Sequence, residues 1–127
     1  MRAEKPLYEG IIDAQKLAFA PFAFHAALAL RDFGILATLA NSRPDGLTAQ
    51  RIAELTRLPL YGVKVLLESG VACDLIAVEG DRFAVRQLGM LVLRDKMTRV
   101  NMDFTADVCY RGIAHLREAV QTGKPAG

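Results

Sequence analysis

The sequence is short of the groups that carry out chemistry. Its 127 residues hold two cysteines, Cys73 and Cys109, and neither belongs to a CxxC pair. A redox dithiol therefore has no framework, and both are expected as reduced core thiols of a cytoplasmic protein. The two histidines, His25 and His115, have no second His or Cys at helical ligand spacing, which argues against a metal site. His25 is expected as a satisfied histidine in an apolar helix and His115 as a surface residue. The ten glycines never lie two apart, so there is no GxG, no nucleotide fingerprint and no P-loop. No GxSxG or comparable nucleophile motif occurs. Glu4, Glu9 and Asp13 fit a solvated helical face. No catalytic, cofactor-binding or metal residue is assigned.

Charge of one sign is also missing. A formal net charge of +2 exerts no strong pull on nucleic acid or an anionic membrane. The N-terminal MRAEKPLYEG has no apolar h-region behind its charges, so a secretory signal is not expected. The longest uncharged run, Leu17–Leu30, is fourteen residues interrupted by Pro21 and His25. Crossing a bilayer takes roughly 20 residues.

What is present is helical periodicity. Pro6 opens a first helix through Leu7, Ile11, Ile12 and Leu17, and Pro21 breaks or restarts the pattern. Leu17–Leu30 is apolar nearly all round and demands cover on every side. Gly34 marks an end or kink before Ile35–Ala40, and Asn41–Gly46 is a dense turn cluster. Thr48 caps a helix over Ala49–Thr56, with Ile52, Ala53 and Leu55 inward. A second helix, Pro59–Ser69, carries Val63, Leu66 and Leu67 and is expected to stop at Gly70. Runs at Leu75–Val78 and Arg82–Val85 across Glu79-Gly80-Asp81 form a β-hairpin. A short helix follows over Arg86–Asp95 with Leu88, Leu91 and Val92 on one side. A long helix then runs from Thr98 to Thr122, carrying two differently directed apolar faces and stopping at Gly123. The fold class is mainly α: apolar N-terminal helices (6–41), a winged-helix core with a small β-hairpin (47–85) and a long C-terminal linker helix (98–122).

Winged helices commonly read DNA, but these residues are poorly suited to it. The would-be recognition helix leads with Leu60 and Tyr61 and offers one Lys64 beside Glu68, and the wing tip carries Glu79 and Asp81. Base edges and phosphates call for Arg, Lys, Asn or Gln there. A DNA-binding transcription regulator is the second reading.

Together these segments resemble the N-terminal dimerisation domain of S-adenosylmethionine-dependent small-molecule O-methyltransferases. The matching residues are Phe33-Gly34-Ile35 through Leu39-Ala40, then Gly46-Leu47-Thr48 with Ile52-Ala53-Glu54. Tyr61, Val63, Leu66, Leu67 and Gly70 follow. The match closes with Phe104, Tyr110, Leu116, Val120 and the Gly123-Lys124-Pro125-Ala126-Gly127 exit. The family's Thr after the wing is missing, although Gly89 is kept. The resemblance implies a homodimer through the entry helices and the long C-terminal helix, with residues 1–127 as the dimerisation domain. It implies a Rossmann-like catalytic domain absent from this chain, so the fragment alone would be inactive and hold no cofactor. S-adenosylmethionine and a small-molecule methyl acceptor belong to the parent enzyme, with no nucleic acid or membrane partner. Asn101, Met102, Phe104, Thr105 and Val108 become candidates for the substrate-pocket wall, although a plain core role for Phe104 and Val108 is equally open.

Overall fold

The computed structural model describes residues 3–127; Met1 and Arg2, which open the charged N-terminus discussed above, lie outside the described residues. Helix α1 spans Leu7–Ala18 and α2 spans Ala20–Asp32, with Pro21 in the first turn of α2. Proline there removes a donor that has no partner in any case, so Pro21 restarts the helix. Gly34, in the left-handed region, turns the chain into α3, Ile35–Ala40.

Strand β1 is only Leu47–Thr48, followed by α4, Ala49–Thr56, with the Thr48 hydroxyl accepting from the Arg51 N–H. Helix α5 spans Leu60–Ala72. The hairpin joins β2, Ile76–Glu79, to β3, Arg82–Val85. The first strand thus sits one residue later than expected. A third strand was missed: β1 pairs antiparallel with β3, Leu47 opposite Phe83, giving the order β1-β3-β2. Two residues show no alternation, which is why no pattern marks them.

The expected stop at Gly70 is also corrected. Helix α5 runs past it, and the left-handed residue is Asp74. The Leu75 N–H bonds the Gly70 carbonyl and the Asp74 N–H the Val71 carbonyl, the paired bonds of a Schellman closure. Gly70 serves packing instead. A Cβ there would stand 2.7 Å from Ile76 Cδ1, so its absence lets β2 approach the helix.

The core gathers Leu30 of α2, Ile35, Leu36 and Leu39 of α3, Ile52 of α4, Val63 and Leu67 of α5, and Ile76 of β2. Helix α6, Gln87–Arg94, adds Val92 and Gly89. Its expected companions Leu88 and Leu91 are exposed, as is Leu55 of α4. The long C-terminal helix is not continuous. Helix α7 spans Lys96–Phe104, a five-residue π turn occupies Thr105–Cys109, α8 is Tyr110–Ile113, and α9 runs from Leu116 to Thr122. Asp95 caps it, so that it starts at Lys96, two residues before the expected Thr98, and Gly123 ends it as expected. No helix of the described residues is long and apolar enough to cross a membrane.

Candidate functional site

Two ends of the molecule meet along α2. Phe24 stacks on Tyr110 with ring centroids 5.5 Å apart and planes 22° from parallel. His25 meets the same ring edge-on at 4.4 Å. Seven residues further along α2, the buried Arg31 donates through Nη2 to Asp103 and through Nε to Asp32. Desolvation opposes its charge, but the two carboxylates outweigh it and hold the guanidinium above its ordinary basicity. Its Nη1 is buried with no hydrogen-bond partner among the described residues.

Between the start of α2 and the C-terminal arm lies a cavity of about 460 Å³, within the range of small-molecule sites. Ala20, Pro21 and Phe24 form one side, and Thr105, Tyr110 and Ile113 the other. The lining is overwhelmingly apolar. The Thr105 hydroxyl is committed to the Asn101 carbonyl at 2.8 Å.

The five candidate wall residues do not converge on this cavity. Thr105 lines it. Met102 turns inward and packs on the core. Asn101 is exposed, and so are Phe104 and Val108, at 57% and 67%. Phe104 and Val108 are therefore not core residues of this chain. Phe24, Tyr110 and Ile113 were missed as lining residues. Pro21 could have signalled the first of them, because a helix starting there aims Phe24 one turn in.

His25 departs from expectation: it is exposed, against Phe24 and Tyr110, with no hydrogen bond described for its ring. His115 is at the surface as expected. Both cysteines are unpaired and only half-buried rather than in the core, and burial, aided by Asp74, pushes the Cys73 thiol up. Such a thiol is a poor nucleophile. Among the described residues no group of His, Cys, Asp or Glu could hold a metal ion.

The surface of α5 carries Tyr61, Lys64, Val65 and Glu68 outward. Apolar exposure is heaviest elsewhere. Leu7, Ile11, Ile12, Leu17, Phe19 and Phe22 are open on α1 and α2, and Val100, Phe104, Val108, Leu116 and Val120 along the C-terminal arm. Neither α1 nor any segment from α7 to α9 buries a single residue.

The model of the Dimerisation2-like domain matches residues 12–83, more than half of the chain. The chain belongs to the Dimerisation2-like domain family. Comparison with curated proteins finds no match. Among solved structures, the Dimerisation2-like chain is similar to the S-adenosylmethionine-dependent methyltransferase SibL in its apo form. The TM-score is 0.72 at 24% identity, over 85% of this chain and 32% of that one. It is also similar to human N-acetylserotonin methyltransferase in complex with SAM, at TM-score 0.64 and 20% identity, over 97% of this chain and 37% of that one. CalO1, a methyltransferase of calicheamicin biosynthesis in its SAH-bound form, gives 0.71 and 17%, over the same shares. The domain thus spans about a third of the length of these structures, and the likeness is one of fold.

Proposed function

We propose that this domain pairs two copies of a longer S-adenosylmethionine-dependent O-methyltransferase and forms one wall of its acceptor pocket. The observation that carries the reading is the apolar surface left open on α1, α2 and the C-terminal arm, in a chain of a dimerisation-domain family. Monomers seldom expose apolar patches beyond a few hundred Å². Covering ~1,000 Å² per copy would contribute on the order of 25 kcal/mol before the costs of association. That favours a tight homodimer, its entry helices and C-terminal arms interleaved about a two-fold axis.

The cofactor belongs to the partner domain in this reading. S-adenosylmethionine needs a strand, a glycine-rich turn and a helix N-terminus to hold its ribose and carboxylate. The described residues supply three short antiparallel strands and no parallel crossover, so they do not fit it. Residues 47–85 act as a winged-helix packing unit rather than a DNA reader, because α5 presents Tyr61 and Val65 beside a balanced Lys64 and Glu68. The unpaired thiols support a cytoplasmic setting.

Sedimentation equilibrium tests the pairing. The expected mass is twice the 13.9 kDa of one chain, and a monomer persisting at ~50 µM, where any interface tighter than roughly 7 kcal/mol would be filled, would overturn it. Calorimetry with S-adenosylmethionine should detect no binding to this chain.

A further inference from the structure

The π turn Thr105–Cys109 stands between two attachments to α2. Asp103, two residues before it, meets Arg31, and Tyr110, directly after it, meets Phe24 and His25. The pairs are seven residues apart on both helices. Apart from these, Met102 packs on the core beside Asp103, whereas the π turn and α8 hold no fully buried residue. Beyond Phe104 the rotation of the arm thus rests on the half-buried Tyr110 and its contacts with Phe24 and His25 rather than on the core.

A π turn accommodates one residue more than an α turn, so its relaxation would rotate everything after it by about 100°, the arc of one helical residue. That rotation would carry Tyr110 off Phe24 and dismantle the cavity wall. Arg31 is suited to oppose it. Its side chain is only 5% exposed, so its charge cannot turn to water, and Nη1 has already forgone a partner. A charge so placed strongly disfavours loss of either carboxylate.

We propose that Arg31 is a positioning residue, which through Asp103 holds α7 in the register that keeps the π turn and so sets Thr105 and Tyr110 on the cavity wall. Its functional meaning rests on the reading of that cavity as part of an acceptor pocket.

The test labels the chain with 3-fluorotyrosine. Its three tyrosines give three fluorine signals, with Tyr110 assigned by Tyr110→Phe. Asp103→Ala removes the tether from a half-exposed helical site and lowers stability, but Arg31 stays paired to Asp32, and a circular dichroism spectrum like the parent's shows that the fold remains. The Tyr110 signal should move to that of an unstacked ring, and amides 105–113 should exchange at least ten-fold faster. Asp103→Glu should restore both, and Asp32→Ala should change neither. An unmoved Tyr110 signal in Asp103→Ala, or an equal response in Asp32→Ala, would overturn the clamp. Titration with 2-naphthol as an apolar probe separates the two ideas. Binding that shifts the Tyr110 signal and weakens at least five-fold in Asp103→Ala supports both. No shift at millimolar naphthol in the parent chain overturns the pocket reading, while the ring signal still decides the clamp.

Discussion

Gly89 lies directly under the Leu75 carbonyl: a Cβ built at position 89 would stand 2.4 Å from that oxygen and 2.7 Å from Val85 Cγ2. The same carbonyl accepts the Arg86 N–H at 2.9 Å, so the backbone that joins β2 to the start of α6 has no freedom to retreat. Gly89→Ala should destabilise the fold by roughly 3 kcal/mol, at the upper end of overpacking costs. Gly62 is the control, since nothing lies within 4 Å of its added Cβ in α5. Gly62→Ala should be neutral or stabilise by up to about 1 kcal/mol through helix propensity. Urea unfolding of the two variants checks the contrast, and equal midpoints would refute it.

The cap of α7 should melt with acid. Asp95 accepts from the Thr98 N–H at 2.9 Å and the Thr98 hydroxyl at 2.7 Å. The two bonds, the hydroxyl's first, hold its pKa below the ordinary 3.8. A depressed carboxylate contributes stability that is complete above its unfolded pKa. That contribution fades as pH falls below 3.8 and is gone beneath the folded value. Amide protection over residues 98–101 should therefore drop in that window and not between pH 5 and 8. Asp95→Asn should flatten the profile. A parent chain whose protection is unchanged down to pH 2 would disprove the role of the cap.

Much of this architecture was legible because it depends on local rules. Thr48 at its cap, Pro21 at a helix start, and Gly34 and Gly123 at positive φ each act within a turn of their own position. Departures arose where distant segments decide. Gly70 looks like a stop by sequence, yet it is kept small by Ile76 and Leu30 across the core. The break of the C-terminal helix into α7, a π turn, α8 and α9 has no proline to announce it. The cavity was little visible. Of its lining only Thr105 stood among the residues named from the sequence, because Phe24 and Tyr110 reach it only through the packing of two helices far apart in the chain.

Nucleic acid should bind negligibly at physiological salt. Affinity for a duplex comes largely from phosphates neutralised by Lys and Arg. The exposed face of α5 balances Lys64 against Glu68, and the hairpin tip places Glu79 and Asp81 outward beside Arg82. Fluorescence anisotropy with a labelled 30-bp duplex should show no saturable binding below ~100 µM, near 5.5 kcal/mol. Micromolar binding with a steep salt slope would return the regulator reading to first place.

The pairing face and the folded core should be separable by mutation. Leu17, in the last turn of α1, is 80% exposed and outside the core cluster. Ala27, three turns later, packs against the core cluster. If α1 and α2 meet a second copy, Leu17→Asp places a charge in a desolvated contact on both sides of the two-fold axis. At roughly 2 kcal/mol for each copy, the dimer should weaken by about 4 kcal/mol, close to a thousand-fold. The helix content of the separated chain should stay as it was, because surface substitutions seldom alter a fold by more than about 0.5 kcal/mol. Ala27→Asp buries an unpaired carboxylate next to Leu30 and its neighbours, so it should lower solubility and unfolding temperature together. Sedimentation and circular dichroism on the same samples distinguish the two. A Leu17→Asp chain that sediments as tightly as the parent would place the interface off α1, and the C-terminal arm from Val100 to Val120 would then have to carry it alone.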